Sequence, residues 1–201
     1  MTDEKGVPSK FFHEVYQQQV PPWEIGRPQP EVIRLAKEGV IHGRVLDIGC
    51  GTGENALFLA QHGLEVLGLD AVPLAIAMAQ TKARERGLNV QFQVFDALKL
   101  KELGQTFDTV LDSGLLHVFS DVDRQTYVDG LRAVVKPHGT FIMLCFSHEE
   151  TSEIGPRRLT ESEIHAAFHS GWHVREIRPT RFESLAHPGG ARALLAVIHR
   201  A

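Results

Sequence analysis

The stretch RVLDIGCGTGENALFLAQHGLEVLGLDAVP, Arg44 to Pro73, decides the fold. It is a short apolar run, a glycine-rich turn, an amphipathic run, a second apolar run and then an acid. Short apolar runs bounded by turn residues read as buried strands, and the run between them carries helical spacing. The unit is strand–turn–helix–strand, an arrangement suited to a nucleotide-like ligand. Gly49, Gly51 and Gly53 follow the first strand and open the helix. Glycine is needed there because side chains would block both the tight turn and the close approach of a ligand.

Two acids sharpen this reading. Asp47 sits inside the end of the first strand, where a buried carboxylate needs a partner. Asp70 ends the second strand, where a carboxylate can accept both hydroxyls of a ribose. Dinucleotide enzymes share the layout but usually read GxGxxG and bring pyrophosphate to the helix N-terminus. Here the spacing is GxGxG, followed by Glu54, an acid expected to repel a phosphate from the first helical turn. A ligand with a ribose and no phosphate fits better, and S-adenosylmethionine is such a ligand.

Outward from this unit, strand and helix alternate. Strands are expected at 44–48, 64–69, 90–95, 107–112 and 139–146, and helices at 53–62, 73–87, 121–135 and 160–170. Pro73 suits a first helical turn, where its missing N–H has no partner to lose. Ser120 with Asp123, and Thr160 with Glu163, have capping-box spacing. TFIMLCF is apolar on both faces, as a central strand covered on each side should be. Repeated strand–helix units predict a parallel sheet with right-handed crossovers. The C-terminus breaks the pattern. WHVREIRP and ARALLAVIH are strand-like runs joined by TRFESLAHPGG with no helix between them, so an antiparallel hairpin is expected.

Residues 1–40 differ from the rest and are expected to form an N-terminal lid on a domain spanning 41–201. Phe11, Phe12 and Tyr16 are placed on one helical face. Pro21, Pro22, Pro28 and Pro30 force extended backbone. PEVIRLAKEG predicts a short helix with Pro30 at its start and Gly39 at its end.

Composition bounds the function. At 201 residues the chain is one ordinary domain with room for a real core. With 43% hydrophobic and 23% charged residues it is globular rather than disordered. A net charge of −4 supplies no strong basic field, which counts against nucleic-acid substrates. Cys50 and Cys145 show no metal or redox spacing and read as cytosolic thiols, and the histidines show no metal-ligand spacing. The polar N-terminus lacks a signal-peptide core, and no apolar run has the length of a membrane span. A cytoplasmic protein acting on a small molecule, a monomer or weak homodimer, is expected.

VLDIGCGTGENALFLA resembles the first motif of class I S-adenosylmethionine-dependent methyltransferases. The resemblance implies a Rossmann-like α/β fold with a seven-stranded, mostly parallel sheet. It also implies roles for particular residues. Gly49, Gly51 and Gly53 pack on the methionine part of the cofactor, Asp47 lies near its ammonium, and Asp70, followed by Ala71, holds the ribose. Asp96 and Ala97, in VFDALKL, contact the adenine. Asp112 and Ser113, in FDTVLDSGLLHVF, lie beneath the transferable methyl.

The chain lacks the Asn/Asp-Pro-Pro-aromatic motif of enzymes that methylate amino groups on bases or amides. It is similar instead to the thiopurine, thiol and halide methyltransferase superfamily, which includes enzymes acting on heterocyclic N-hydroxyquinolones. PPWEIGRPQP looks like that group's Trp-acid-x-Gly segment, which implies that Trp23 packs at the cofactor. FDTVLDSGLLHVFSDVDRQTYVDGL looks like its fourth-strand motif, and CFSHEETSEIGPRRLTESEI like the loop after the fifth strand. The thiopurine enzymes carry an arginine where this chain has Ser113, which leans toward a neutral or aromatic acceptor.

The function implied is transfer of a methyl group from S-adenosylmethionine, leaving S-adenosylhomocysteine, to an oxygen, sulfur or halide nucleophile, foremost a hydroxyl, N-hydroxyl or thiol of an aromatic heterocycle. His117, just past the fourth strand, is the candidate for taking a proton from the acceptor. His148, after the fifth strand, is a second candidate to face the acceptor, and Phe12, Tyr16 and Trp23 would exclude water. Two other readings share the fold. A nicotinamide-dependent oxidoreductase is disfavoured by GxGxG and Glu54. A non-catalytic S-adenosylmethionine-binding module is disfavoured by the lid and the polar residues on the methyl side.

Overall fold

A computed structural model describes residues 6–18 and 20–201. The first residues of the expected lid, 1–5, and Gln19 lie outside the described residues. The chain runs α1 (Ser9–Gln18), α2 (Pro30–Lys37), β1 (Arg44–Ile48), α3 (Glu54–Gln61), β2 (Glu65–Asp70), α4 (Pro73–Glu85), β3 (Gln91–Val94), β4 (Phe107–Ser113), α5 (Asp121–Val134), β5 (Val135–Phe146), α6 (Glu161–Ala167), β6 (Trp172–Ser184) and β7 (His187–Arg200). Two 3₁₀ turns, Ala97–Glu102 and Leu116–Val118, flank β4.

The seven strands form one sheet in the order β3-β2-β1-β4-β5-β7-β6. All neighbours are parallel except β7, which runs antiparallel to both β5 and β6. The strand order reverses between β1 and β4, and in doubly wound sheets the carboxyl ends at that point border the ligand crevice.

Alternation along each strand splits the core between two faces. Leu46 and Ile48 of β1 pack with Phe107, Tyr127 and Phe141 on the α5–α6 face. Val45 packs with Val32, Leu57 and Ile76 on the face covered by α2, α3 and α4. Each such fully buried aliphatic side chain stabilises the fold by about 2 kcal/mol. The caps form as their sequences imply. Ser120 Oγ accepts the Asp123 N–H, and Thr160 and Glu163 form a reciprocal capping box. Pro30 and Pro73 occupy first turns of helices, and Gly39 takes positive φ just past α2.

Two expectations are corrected. TRFESLAHPGG is mostly strand rather than connection: β6 and β7 pair as far as Ser184 and His187, leaving only Leu185 and Ala186 between them. Pro179 does not stop β6 because β6 is the sheet edge, where a missing N–H costs no ladder bond. In α1, Phe11 does not share the buried face. It is 45% exposed, whereas Val15 and Tyr16 are buried and Phe12 packs on Trp23 with ring centroids 5.7 Å apart.

The segment between α1 and α2 is pinned to the distant hairpin. Buried Gln29 accepts the Glu183 N–H and donates to the Glu183 carbonyl, both at 2.9 Å. The Leu185 N–H donates to the Pro22 carbonyl at 2.7 Å. Glu31 accepts from Thr180 at 2.5 Å and pairs with Arg178.

Candidate active site

The glycine turn is built as its spacing requires. Gly49, Gly51 and Gly53 have φ of 69°, 56° and 87°, a region that side chains disfavour. The Gly49 and Cys50 amides donate to the Leu69 carbonyl, locking the turn onto the end of β2. Asp70 completes the lock. Its two carboxylate oxygens accept the Gly51 N–H at 2.9 Å and the Val72 N–H at 2.8 Å. A Cβ at Gly51 would lie 2.9 Å from Tyr16 Oη, so α1 approaches the turn closely. Trp23 Nε1–H donates to that same hydroxyl at 3.0 Å. Burial raises the Tyr16 phenol well above its usual range, so it is protonated and stays a donor.

Asp47 and Asp112 end neighbouring strands, yet alternation turns them to opposite faces of the sheet. Asp47 shares the face of Val45 and looks toward α3; Asp112 shares the face of Val110 and looks toward α5. Asp112 is fully enclosed and satisfied. It accepts from the Leu115 N–H at 2.8 Å, the Leu116 N–H at 3.0 Å and the Tyr127 hydroxyl at 2.9 Å. This corrects its expected place at the cofactor: the carboxylate shapes the turn after β4 from inside the core. Ser113, one residue on, is half-buried and shares the face of Asp47.

Asp47 is the opposite case. It is 1% exposed, and neither carboxylate oxygen has a hydrogen-bond partner among the described residues. Burial, with Asp112 adding repulsion, pushes its pKa up to about 7; the nearby Ala56 amide offsets this only in part. A buried carboxylate without a donor, beside a glycine turn, calls for a cationic partner. The ammonium of an amino-acid ligand such as the methionine part of S-adenosylmethionine has the required charge and donors. The residues present therefore fit that cofactor.

Glu54 does a different job from the one its position suggests. Arg86 grips it bidentately at 2.8 and 2.9 Å, and Lys82 donates to it at 2.8 Å. Burial works to raise its carboxyl, but these two cations outweigh burial and hold it below the usual range. Its charge is neutralised within the protein, so it does not present a free negative charge to a phosphate.

The remaining expected residues separate. Ala71 is exposed beside Asp70. Asp96 is exposed and caps its own 3₁₀ turn, accepting the Leu98 N–H at 3.0 Å, with Ala97 half-buried beside it. His148, the second candidate to face the acceptor, is exposed, and its amide donates to the Leu159 carbonyl at 3.0 Å.

His117 is only 4% exposed, on the 3₁₀ turn after β4. Its Nδ1 accepts the Phe146 N–H at 3.0 Å. Its ring meets Phe146 edge-on at 5.2 Å and lies 6.3 Å from Phe182. Burial, reinforced by the Arg158 charge, drives its pKa down to about 3. This corrects the expectation of a general base. The ring is neutral, its one lone pair is engaged by backbone, and Nε2 carries the proton. It can donate a hydrogen bond but has no free site for a proton. A hydrogen bond with the Gly114 backbone opposes the downward shift without reversing it.

Sequence reasoning missed Phe146 and Phe182 as the cage around His117, and missed the tie from Glu24 through Thr52 to Lys82. Glu24 stood in a segment already singled out, but nothing local signals its partner 28 residues on.

Residues 45–139 match a family model described as a methyltransferase domain. The chain is 39% identical to the 2-heptyl-1-hydroxyquinolin-4(1H)-one methyltransferase of Mycobacteroides abscessus over 164 residues, 80% of this chain and 72% of that one. A solved structure described by the conversion of a disulfide bond into a thioacetal group during echinomycin biosynthesis matches with a TM-score of 0.86 and 34% identity, covering 96% of this chain and 93% of that one. The magnesium protoporphyrin IX methyltransferase of Synechocystis PCC 6803 with bound S-adenosylmethionine matches with a TM-score of 0.66 and 24% identity over 85% of this chain and 76% of that one, a likeness of fold alone.

Proposed function

We propose an acceptor class for this chain on the premise that it belongs to the S-adenosylmethionine-dependent methyltransferases and transfers a methyl group to a small molecule. The acceptor is an aromatic heterocycle carrying an acidic hydroxyl, N-hydroxyl or thiol. The observation that carries this reading is the state of His117. A neutral imidazole that offers Nε2–H and no lone pair can orient an acceptor oxygen or sulfur but cannot deprotonate it. Acceptors that ionise unaided near neutral pH suit such a site; ordinary phenols and alcohols do not. The Phe146 and Phe182 rings make the surroundings of His117 apolar, which suits an aromatic acceptor better than a charged one. The relative that acts on an N-hydroxyquinolone supports the same class.

On the cofactor side the geometry supports a matching set of roles. Asp47 is the residue to pair with the ammonium, and the Gly49–Gly53 turn gives the backbone close approach. Asp70 keeps lone pairs for ribose hydroxyls beyond its two backbone donors, with Ala71 beside it, and Asp96 and Ala97 border the adenine. When bound, S-adenosylmethionine supplies a sulfonium methyl that is already activated. The chain's part is to orient the nucleophile in line and keep water out. Phe12, Tyr16 and Trp23 form the cover, which makes the N-terminal segment a lid rather than a separate domain. Ser113 borders the acceptor from the end of β4.

A panel of acceptors tests the class. With S-adenosylmethionine supplied, N-hydroxyquinolones and aromatic thiols should be methylated at least roughly a hundredfold faster than an unactivated phenol of equal size, the scale of a missing general base. Equal rates across the panel would overturn the reading.

A further inference from the structure

The N-terminal segment touches the glycine turn at two successive residues. Tyr16 Oη packs at Gly51, and Glu24 accepts the hydroxyl of Thr52. The Thr52 oxygen in turn accepts from Lys82 Nζ at 2.5 Å, and Lys82 lies 3.5 Å from Glu24 and 2.8 Å from Glu54. Arg86 closes the cluster onto Glu54. Two acids and two bases from the segment after α1, from α3 and from α4 thus balance within one half-buried network, with the Thr52 hydroxyl at its centre.

This arrangement is more than a surface ion pair. Glu24, Lys82 and Glu54 side chains are 14%, 23% and 10% exposed, so screening by water is limited. Glu54 bonds Arg86 and Lys82 without touching Glu24, so the α3–α4 part of the network is built from residues outside the segment. Glu24 is the member that joins the segment to the turn.

We propose that Glu24 and Thr52 form a latch, positioning residues that couple closure of the N-terminal segment to occupation of the cofactor turn. Holding Thr52 from outside fixes the turn between Gly51 and Gly53, and an occupied turn in turn holds Thr52 in place for Glu24. Coupling of this kind is reciprocal: what the latch adds to cofactor affinity, cofactor adds to ordering of the segment. The inference rests on the cofactor assignment above.

The test uses the full chain, calorimetry with S-adenosylhomocysteine, and amide hydrogen exchange across Ser9–Gln18 with and without that ligand. Glu24→Gln and Thr52→Val should each raise the dissociation constant roughly ten-fold, the effect of losing one charge-assisted hydrogen bond. Thr52→Ser, which keeps the hydroxyl, should lose clearly less affinity than Thr52→Val, and the double variant should be no weaker than either single one. In Glu24→Gln and Thr52→Val the ligand should also protect α1 from exchange less than it does in wild type. Wild-type affinity and protection in both variants, or losses that add in the double variant, would overturn the latch. A wild-type chain that fails to bind S-adenosylhomocysteine would overturn the cofactor assignment along with it.

Discussion

In the parallel half of the sheet, β3-β2-β1-β4, the site is held by neighbours in sequence; in the half closed by the β6–β7 hairpin, it is held by partners far along the chain. The Asp70 carboxylate bonds amides 2 and 19 residues away. Gln29 bonds Glu183 across 154 residues, and Arg178 reaches Glu31 across 147. The first half carries the groups suited to a cofactor, and in the proposed reading the second half borders the acceptor. Two consequences follow. Cutting the Gln29–Glu183 and Glu31–Arg178 contacts should leave cofactor affinity in place and weaken the acceptor half.

The largest effect should come from removing the N-terminal segment that precedes those contacts. Deleting residues 1–24 removes Tyr16, Trp23 and Glu24 but leaves Gln29 and Glu31 on the hairpin. The shortened chain should still melt cooperatively, while turnover falls by more than roughly a hundredfold, because orientation and exclusion of water are lost together. Turnover within a few-fold of the full chain would erase the contrast between the halves and the lid with it.

Asp47→Asn probes the local half. Loss of the carboxylate should weaken S-adenosylmethionine binding by about 2–3 kcal/mol, the scale of a charged hydrogen-bond partner removed from a buried site. Stability should move the other way. The folded pKa of Asp47, about 7, exceeds its ordinary 3.8, so the folded chain retains a proton that the unfolded chain has released. That contribution is present at low pH and is lost as pH rises from about 4 through 7. The ligand-free variant should therefore be more stable than wild type at pH 8, by up to about 4 kcal/mol, with the gap closing near pH 4. Wild-type cofactor affinity should rise over the same window, since the ligand's cation favours ionised Asp47. Parallel pH–stability curves for variant and wild type would show that Asp47 is not held protonated.

How far the sequence spoke follows the same division. The glycine turn, Asp47, Asp70, the caps at Ser120 and Thr160 and the antiparallel C-terminus all depend on residues a few positions apart or on one repeating βα unit. Asp112 was misplaced although the signal was present: counting alternation from Val110 turns it toward α5, away from the Asp47 side. Glu54 was misread because its partners Lys82 and Arg86 lie one helix further on. His117 was correctly located after β4, but its chemistry hinges on the Phe146 amide, which only the β4–β5 pairing brings to it. Burial of a side chain against a backbone donor from another strand leaves no mark in local sequence.

His117 itself gives the smallest effect and the finest discrimination between the halves. Its Nδ1 is fixed by Phe146 of β5 and its ring is hydrogen-bonded to the Gly114 backbone, so its role is set from the acceptor side. Removing one neutral donor costs about 1 kcal/mol, so His117→Ala should slow methylation of an N-hydroxyquinolone by roughly ten-fold or less. The loss should be alike for thiols and N-hydroxyls, because no proton is taken by the ring. His117→Gln should recover part of the rate, since an amide can donate in its place. The pH–rate profile between about 5 and 9 should keep its shape in both variants, because a ring whose pKa has fallen to about 3 does not titrate there. A general base would behave otherwise: the loss would reach roughly 10²–10⁴-fold, fall hardest on the least acidic acceptor, and remove a limb of the profile near neutral pH. Finding that pattern would show that Nδ1 gives up the Phe146 amide during turnover, and that the acceptor half rearranges where the cofactor half does not.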